Sequence, residues 1–301
     1  MKRFISMMMI ATAALFAVSC EDSTDDGGTT TYELSGDKYM GEMTILGTVQ
    51  ESIVFYAEEV DGVMNIMMPE VSFMTGLMPS LDMALIDIAS IGSDSFYSAT
   101  SQMVGIYDRL PLINDVIQSI SNVSVVVGDN MISVSFICSI STTAMGDMDV
   151  PVAFVGYKDG YSPDPEFSMD NAEGFYITTS SGEVLLSTAS LTYYEGNNAL
   201  VIDGFSYSAY LSTTTLPIIG VSDSESFGVR TLTADDLVVS YLFMTMDATG
   251  TVNDLVCEII DSKAQMSFTI AASMGGSGTP TDYPCTFNGD ITINSGSYSA
   301  E

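Results

Sequence analysis

MISVSFICSIS, residues 131–141, alternates between two kinds of side chain. Ile132, Val134, Phe136, Cys138 and Ile140 fall on one side, and Ser133, Ser135, Ile137, Ser139 and Ser141 fall on the other. Successive side chains of a strand point to opposite faces. A period of two therefore predicts a half-buried strand with an apolar face in a core and a serine-rich face in water.

The pattern returns further on. In QMSFTIAAS (265–273), Met266, Phe268, Ile270 and Ala272 share one face, and a shift of 132 places Phe268 on Phe136 and Ile270 on Cys138. At the same shift Leu255, Cys257 and Ile259 fall on Val123, Val125 and Val127. After one added residue, YPCTFNGD (283–290) falls on VPVAFVGY (150–157). The front halves match more loosely. GEMTIL (41–46) resembles GEVLLS (182–187) at a shift of 141, and IMMPEVSF (66–73) resembles LVIDGFSY (200–207) at 134. Those two shifts predict a longer loop near Glu51–Gly62 in the first copy.

The chain thus reads as two copies of one domain, residues 35–158 and 174–301, joined by a polar, proline-bearing linker at 159–173. Short Gly, Asn and Asp turns such as EVDGVM (59–64), VGDNM (127–131) and YEGNNA (194–199) imply antiparallel connections. Pro111 followed by Leu112, Ile113, Val116, Ile117 and Ile120 predicts one helix in the first copy. TADDLVVSYLF (233–243) fits either a capped helix or a strand. The expected fold is mainly β: two tandem antiparallel barrels, with β-sandwiches as the alternative. An eight-stranded barrel has room for side chains or for one small ligand.

Each unit resembles the calycin-like domain of lipoproteins from the Bacteroidetes, through GDKYMGEMTI (36–45), MNIMMPEVSF (64–73) and the closing MISVSFICSIS and DVPVAFVGY. The resemblance implies an antiparallel barrel related to lipocalins. It implies no catalytic residues.

Upstream lie Lys2, Arg3 and an apolar run from Phe4 to Val18, the pattern of a signal peptide over 1–19. Cleavage is expected between Ser19 and Cys20. AVSC (17–20) resembles a lipobox, with Ala17 where leucine is usual, so Cys20 is the expected site of lipidation. Residues 20–34 read as an acidic flexible tether. Its Glu21, Asp22, Asp25 and Asp26 resemble the acidic signal that sends such lipoproteins to the outer face of the outer membrane. The expected location is the outer membrane, held by a lipid anchor and exposed at the cell surface.

The formal charge is −32, and losing Lys2 and Arg3 with the signal peptide brings it to −34. Such a surface repels phosphate backbones and excludes nucleic acid as a partner. The chain holds no His and no Trp. It therefore lacks the usual near-neutral acid–base group, and any Ser-His or Cys-His nucleophile. No catalytic residue, metal ligand or cofactor is assigned. Binding of an extracellular ligand or protein partner is the expected role. A carboxylate-dependent glycan hydrolase and an adhesin or fimbrial component are the alternatives.

Cys257 and Cys285 align with Val125 and Val152, so both are expected to point inward, as a disulfide or as two buried thiols. Cys138 is expected in the core, as are Met64, Met67, Met68, Met74, Met78 and Met83. Asp164, Glu166 and Asp170 in the linker offer oxygen ligands for calcium but lack the glycine of an EF-hand loop, so a solvated linker is the expectation.

Overall fold

The computed structural model describes residues 34–45, 48–72, 80–92, 94–105, 117–142, 146–170, 174–179, 182–186, 189–205, 214–240, 249–272 and 280–293. Met74, Met78, Ser19, Cys20 and the acidic tether lie outside them. All described elements but one are strands.

The first eight strands close into a barrel in chain order. They are β1 (Asp37–Ile45), β2 (Thr48–Val60), β3 (Val63–Val71), β4 (Leu81–Gly92), β5 (Ser95–Gly105), β6 (Ile117–Val127), β7 (Met131–Thr142) and β8 (Gly146–Lys158). The seam is antiparallel β1 against β8, from Tyr39 opposite Lys158 to Ile45 opposite Val152. Gly41 permits this approach: a Cβ there would stand 2.0 Å from the Val155 carbonyl oxygen. Two crossed ion pairs, Lys158–Asp37 at 2.7 Å and Lys38–Asp159 at 3.1 Å, flank the seam at one end. Both are exposed, so each adds at most about 1 kcal/mol.

Side chains fill this barrel. Phe55, Phe136 and Phe154 are fully buried, and Phe55 stacks on Phe154 with centroids 3.9 Å apart. Met64, Met68, Met83 and Cys138 lie in this core as expected, whereas Met67 is buried in a separate cluster with Ala84, Tyr56 and Ile86.

Thirteen further strands follow: β9 (Phe167–Asp170), β10 (Phe175–Thr179), β11 (Gly182–Leu185), β12 (Ser190–Tyr194), β13 (Ala199–Phe205), β14 (Thr214–Ile219), β15 (Ser222–Ser226), β16 (Val229–Ala234), β17 (Leu237–Ser240), β18 (Thr249–Ile260), β19 (Lys263–Ala272), β20 (Thr281–Asp290) and β21 (Thr292–Ile293). They form two sheets, β11-β10-β20-β19-β18-β16-β15 with β17 also on β18, and β14-β13-β12-β9-β21. The path is that of the first barrel with several strands broken. Thr48–Val60 stands 134 residues before Gly182–Tyr194, the span of β11 and β12. Likewise Leu81–Gly92 precedes β14 plus β15, and Ser95–Gly105 precedes β16 plus β17. Pairing agrees: β11 keeps the contact of β2 with β1, whereas β12 keeps that of β2 with β3. Strands that bend from one sheet to the other turn the ring into a sandwich.

Bulges recur at the same offsets. Asn122 and Asp254, 132 apart, both have positive φ where the ladders of β6 and β18 slip. Glu70 and Gly204, 134 apart, do so in β3 and β13.

Several expectations are corrected. The front halves match at 134 throughout, so GEMTIL lies on β1 while GEVLLS lies on β11, the counterpart of β2. The expected loop at 51–62 is most of β2 and a tight turn. The helix expected over 111–120 is replaced from Ile117 onward by strand β6, and 111–116 lie outside the described residues. Leu237–Ser240 is strand. The expected linker 159–173 contributes β9, with Phe167 in the second core, so only its first part joins the modules.

Finally, the first half of the serine face of β7 is dry, whereas Ser139 and Ser141 stay partly exposed. Ser133 and Ser135 are 1% and 0% exposed because the second module covers this side of the first.

Candidate functional site

Outward-facing residues of both modules form a third apolar cluster. Val126, Met131, Val155 and Tyr157 of the barrel pack on Tyr194, Ala199, Val201, Ile219 and Val238 of the sandwich. Asn130 in the β6–β7 turn donates its Nδ2 hydrogen to the Gly196 carbonyl in the β12–β13 turn, at 3.3 Å. Gly128 sits so close that a Cβ would stand 2.8 Å from Ile219 Cγ2. At this seam Asn197 is 1% exposed, and neither its Nδ2 nor its Oδ1 has a hydrogen-bond partner among the described residues.

Beside the cluster runs a groove of about 490 Å³. Its walls come from both modules: Met40, Glu42 and Tyr157 on the barrel side, Tyr194, Val201 and Asp203 on the other. The Tyr157 ring lies 5.8 Å from that of Tyr194, edge to face, and 6.4 Å from that of Tyr161 in the connecting segment. Burial foremost, then the neighbouring Tyr194, pushes the Tyr157 phenol well above its usual range. Tyr194 is also raised, chiefly by burial, and the hydrogen bond it shares with Tyr157 works against that shift. Both phenols are neutral at any physiological pH. The groove thus combines aromatic edges with the carboxylates of Glu42, Glu51 and Asp203, which can only accept hydrogen bonds when ionised. A wider hollow of about 690 Å³ lies on the outer face of β18–β20, within one module.

The other polar concentration is buried. Arg230 on β16 is 6% exposed and points into the second core. Its Nη1 donates to Glu166 Oε1 at 3.1 Å, its Nε to both oxygens of Asp223 at 3.0 Å, and its Nη2 also to Asp223. The guanidinium lies 5.2 Å from the ring centroid of Tyr193, whose hydroxyl donates to Asp223 at 3.1 Å. This cluster is a structural plug. It also decides the linker acids: Glu166 is bound to Arg230, Asp164 is exposed, and the Asp170 backbone pairs with Ser190. Among the described residues no group of acids is arranged to hold a metal.

Cys257 and Cys285 do point inward, at 0% and 1% exposure, but they are not bonded. β19 lies between their strands, with Cys257 opposite Met266 and Cys285 opposite Phe268. Two strand spacings put the Cα atoms roughly 10 Å apart, beyond disulfide reach. Burial raises the thiols of Cys138 and Cys257 to about 12, and that of Cys285 further. Arg230 carried no recognisable sequence pattern, and its partners come from three separate strands or loops. Tyr157 could be read only as a strand residue and Tyr194 only as part of a turn.

No family model matches the chain, and no curated protein does. A crystal structure of a candidate outer membrane protein from Bacteroides fragilis NCTC 9343 is similar at 9% identity, with 85% of this chain and 97% of that one covered and a TM-score of 0.29. A likeness of that size supports no inference.

Proposed function

We propose that this is a lipid-anchored surface lipoprotein of the outer membrane whose two modules, copies of one unit, bind an extracellular ligand in the groove between them. The constant offset of 132–134 residues and the shared bulges support duplication. The lipobox-like AVSC and the acids after Cys20 support the anchor and the surface location.

One observation carries the binding reading: the groove is walled by both modules and fixed by the Tyr157–Tyr194 contact. A preformed concave site of this kind binds without first ordering its walls. The filled barrel core directs a ligand to the groove instead of the barrel interior. Carboxylates and phenols suit a ligand that donates hydrogen bonds, such as a hydroxyl-rich glycan or an organic cation. The role is binding, without catalysis.

The test is a glycan and small-molecule panel on residues 21–301, followed by calorimetry on hits. Binding that falls at least tenfold in Asp203→Asn and Glu42→Gln, with folding unchanged, is the expected result. Undiminished binding in both variants, or turnover of any panel member, refutes the reading. Acylation is checked by intact mass, with Cys20→Ser as the unmodified control.

A further inference from the structure

The turn joining β15 to β16 carries an unusual residue. Phe227 is fully exposed, at 105% of its reference area, and has φ +53°. Among the described residues, eight of the other ten non-glycine residues with positive φ are Asp or Asn, which tolerate this region, and none is aromatic. The corresponding turn of the barrel, 134 residues earlier, has the ordinary pair Ser-Asp at 93–94. The turn itself therefore does not require phenylalanine. Here an aromatic ring is held in a strained conformation, wholly in water, followed by Gly228 at φ +77°.

Its position in the fold is informative. Arg230 pairs with Ile259, so Phe227 lies at the same end of the sandwich as the β18–β19 turn, where Ile260 is 51% exposed. Alternation of antiparallel strands puts the β12–β13 turn at that end too. That turn meets the β6–β7 turn of the barrel through Asn130 and Gly196. The β6–β7 turn is in turn at the end where β1 begins, since Met131 pairs with Tyr157 and Lys158 with Tyr39. The groove, running from Tyr157 and Tyr194 to Glu51 and Thr215, lays the modules side by side. The chain thus enters β1 on the side of the molecule where Phe227 projects.

We propose that Phe227, with Ile260 at the same end of the sandwich, is a second membrane contact that inserts into the lipid surface to which Cys20 attaches the protein. This rests on the lipid-anchor reading. The seventeen steps from Cys20 to Asp37 span at most roughly 60 Å. That holds the β1 end within this distance of the bilayer, where a weak apolar contact acts at high local concentration. A single projecting ring is far too little for a protein interface of ordinary size. It suits a second signal added to an acyl anchor.

The absence of Trp makes a direct test. Phe227→Trp is introduced into residues 20–301, and Cys20 is coupled to a maleimide lipid in phosphatidylcholine vesicles. The three buried thiols do not compete. The expected result is blue-shifted emission that brominated acyl chains quench, with no change in Val49→Trp, whose side lies at the opposite end of the barrel and is 53% exposed. Emission unchanged by coupling overturns the proposal. So does equal quenching of both variants, or a shift that needs an added protein in place of lipid. Because coupling is chemical, these outcomes are independent of whether cells acylate Cys20.

Discussion

Replacing Arg230 by methionine leaves Glu166 and Asp223 facing a core without their cation. The Arg230 and Glu166 side chains are each 6% exposed and Asp223 is 19% exposed, so water reaches little of the cluster. Breaking a buried pair from one side costs about 3–5 kcal/mol, mostly from the charge left behind. Loss of the contact with Tyr193 adds up to about 2 kcal/mol for a desolvated site. Arg230→Met should therefore destabilise the sandwich module by at least about 3 kcal/mol. Adding Glu166→Gln should recover only part of it, because the amide no longer demands a counter-charge but Asp223 still does. Urea unfolding of residues 21–301, followed by far-UV circular dichroism, measures both. A loss below about 1 kcal/mol in the single variant would place the cluster in the class of solvated surface pairs and refute the plug.

Three other outcomes are expected. Asn197→Ala should be neutral or stabilising by about 1 kcal/mol in the same urea assay, since it deletes an amide buried without partners. Gly128→Leu should wedge the modules apart at Ile219, costing about 1–3 kcal/mol and increasing the radius of gyration in small-angle scattering. The raised thiols make stability depend on alkali: folded Cys138 and Cys257 stay protonated to about 12, while unfolded thiols ionise near 9. Their contribution is intact below pH 9 and declines as pH rises from 9 to 12. The urea midpoint should fall across that window, and less steeply in Cys257→Val/Cys285→Val, which carries the residues found at Val125 and Val152.

How far the fold was legible follows from particular residues. MISVSFICSIS announced its inward face, because a strand's alternation is set by the chain alone, and Phe136 and Cys138 are buried accordingly. Of its outer serines, Ser139 and Ser141 keep the expected exposure, while Ser133 and Ser135 are dried by the second module. β18 and β19 stand 132 residues after β6 and β7, and β20 stands 133 after β8, because long strands preserve the pattern. The 141 shift failed because GEMTIL and GEVLLS are similar short strings on non-equivalent strands. Glu166 and Phe167 looked like linker because their partners, Arg230 and Tyr193, are far along the chain. The groove was illegible for the same reason: it exists only between modules.

The contact between modules is of the head-to-tail kind, in which one unit's β6–β8 surface receives a different surface of the next. Contacts of this kind can repeat without limit and grow into fibres. Here the second module does not offer the same surface again. Where the barrel presents Val126, Met131, Val155 and Tyr157, the sandwich carries Glu258, Lys263, Asn288 and Asp290 at the corresponding positions, with Lys263 and Asp290 3.8 Å apart in water. A third unit would have to strip water from those charges. The sandwich face that corresponds to the barrel's contact surface is therefore charged where the barrel's is apolar, and it resists the same packing.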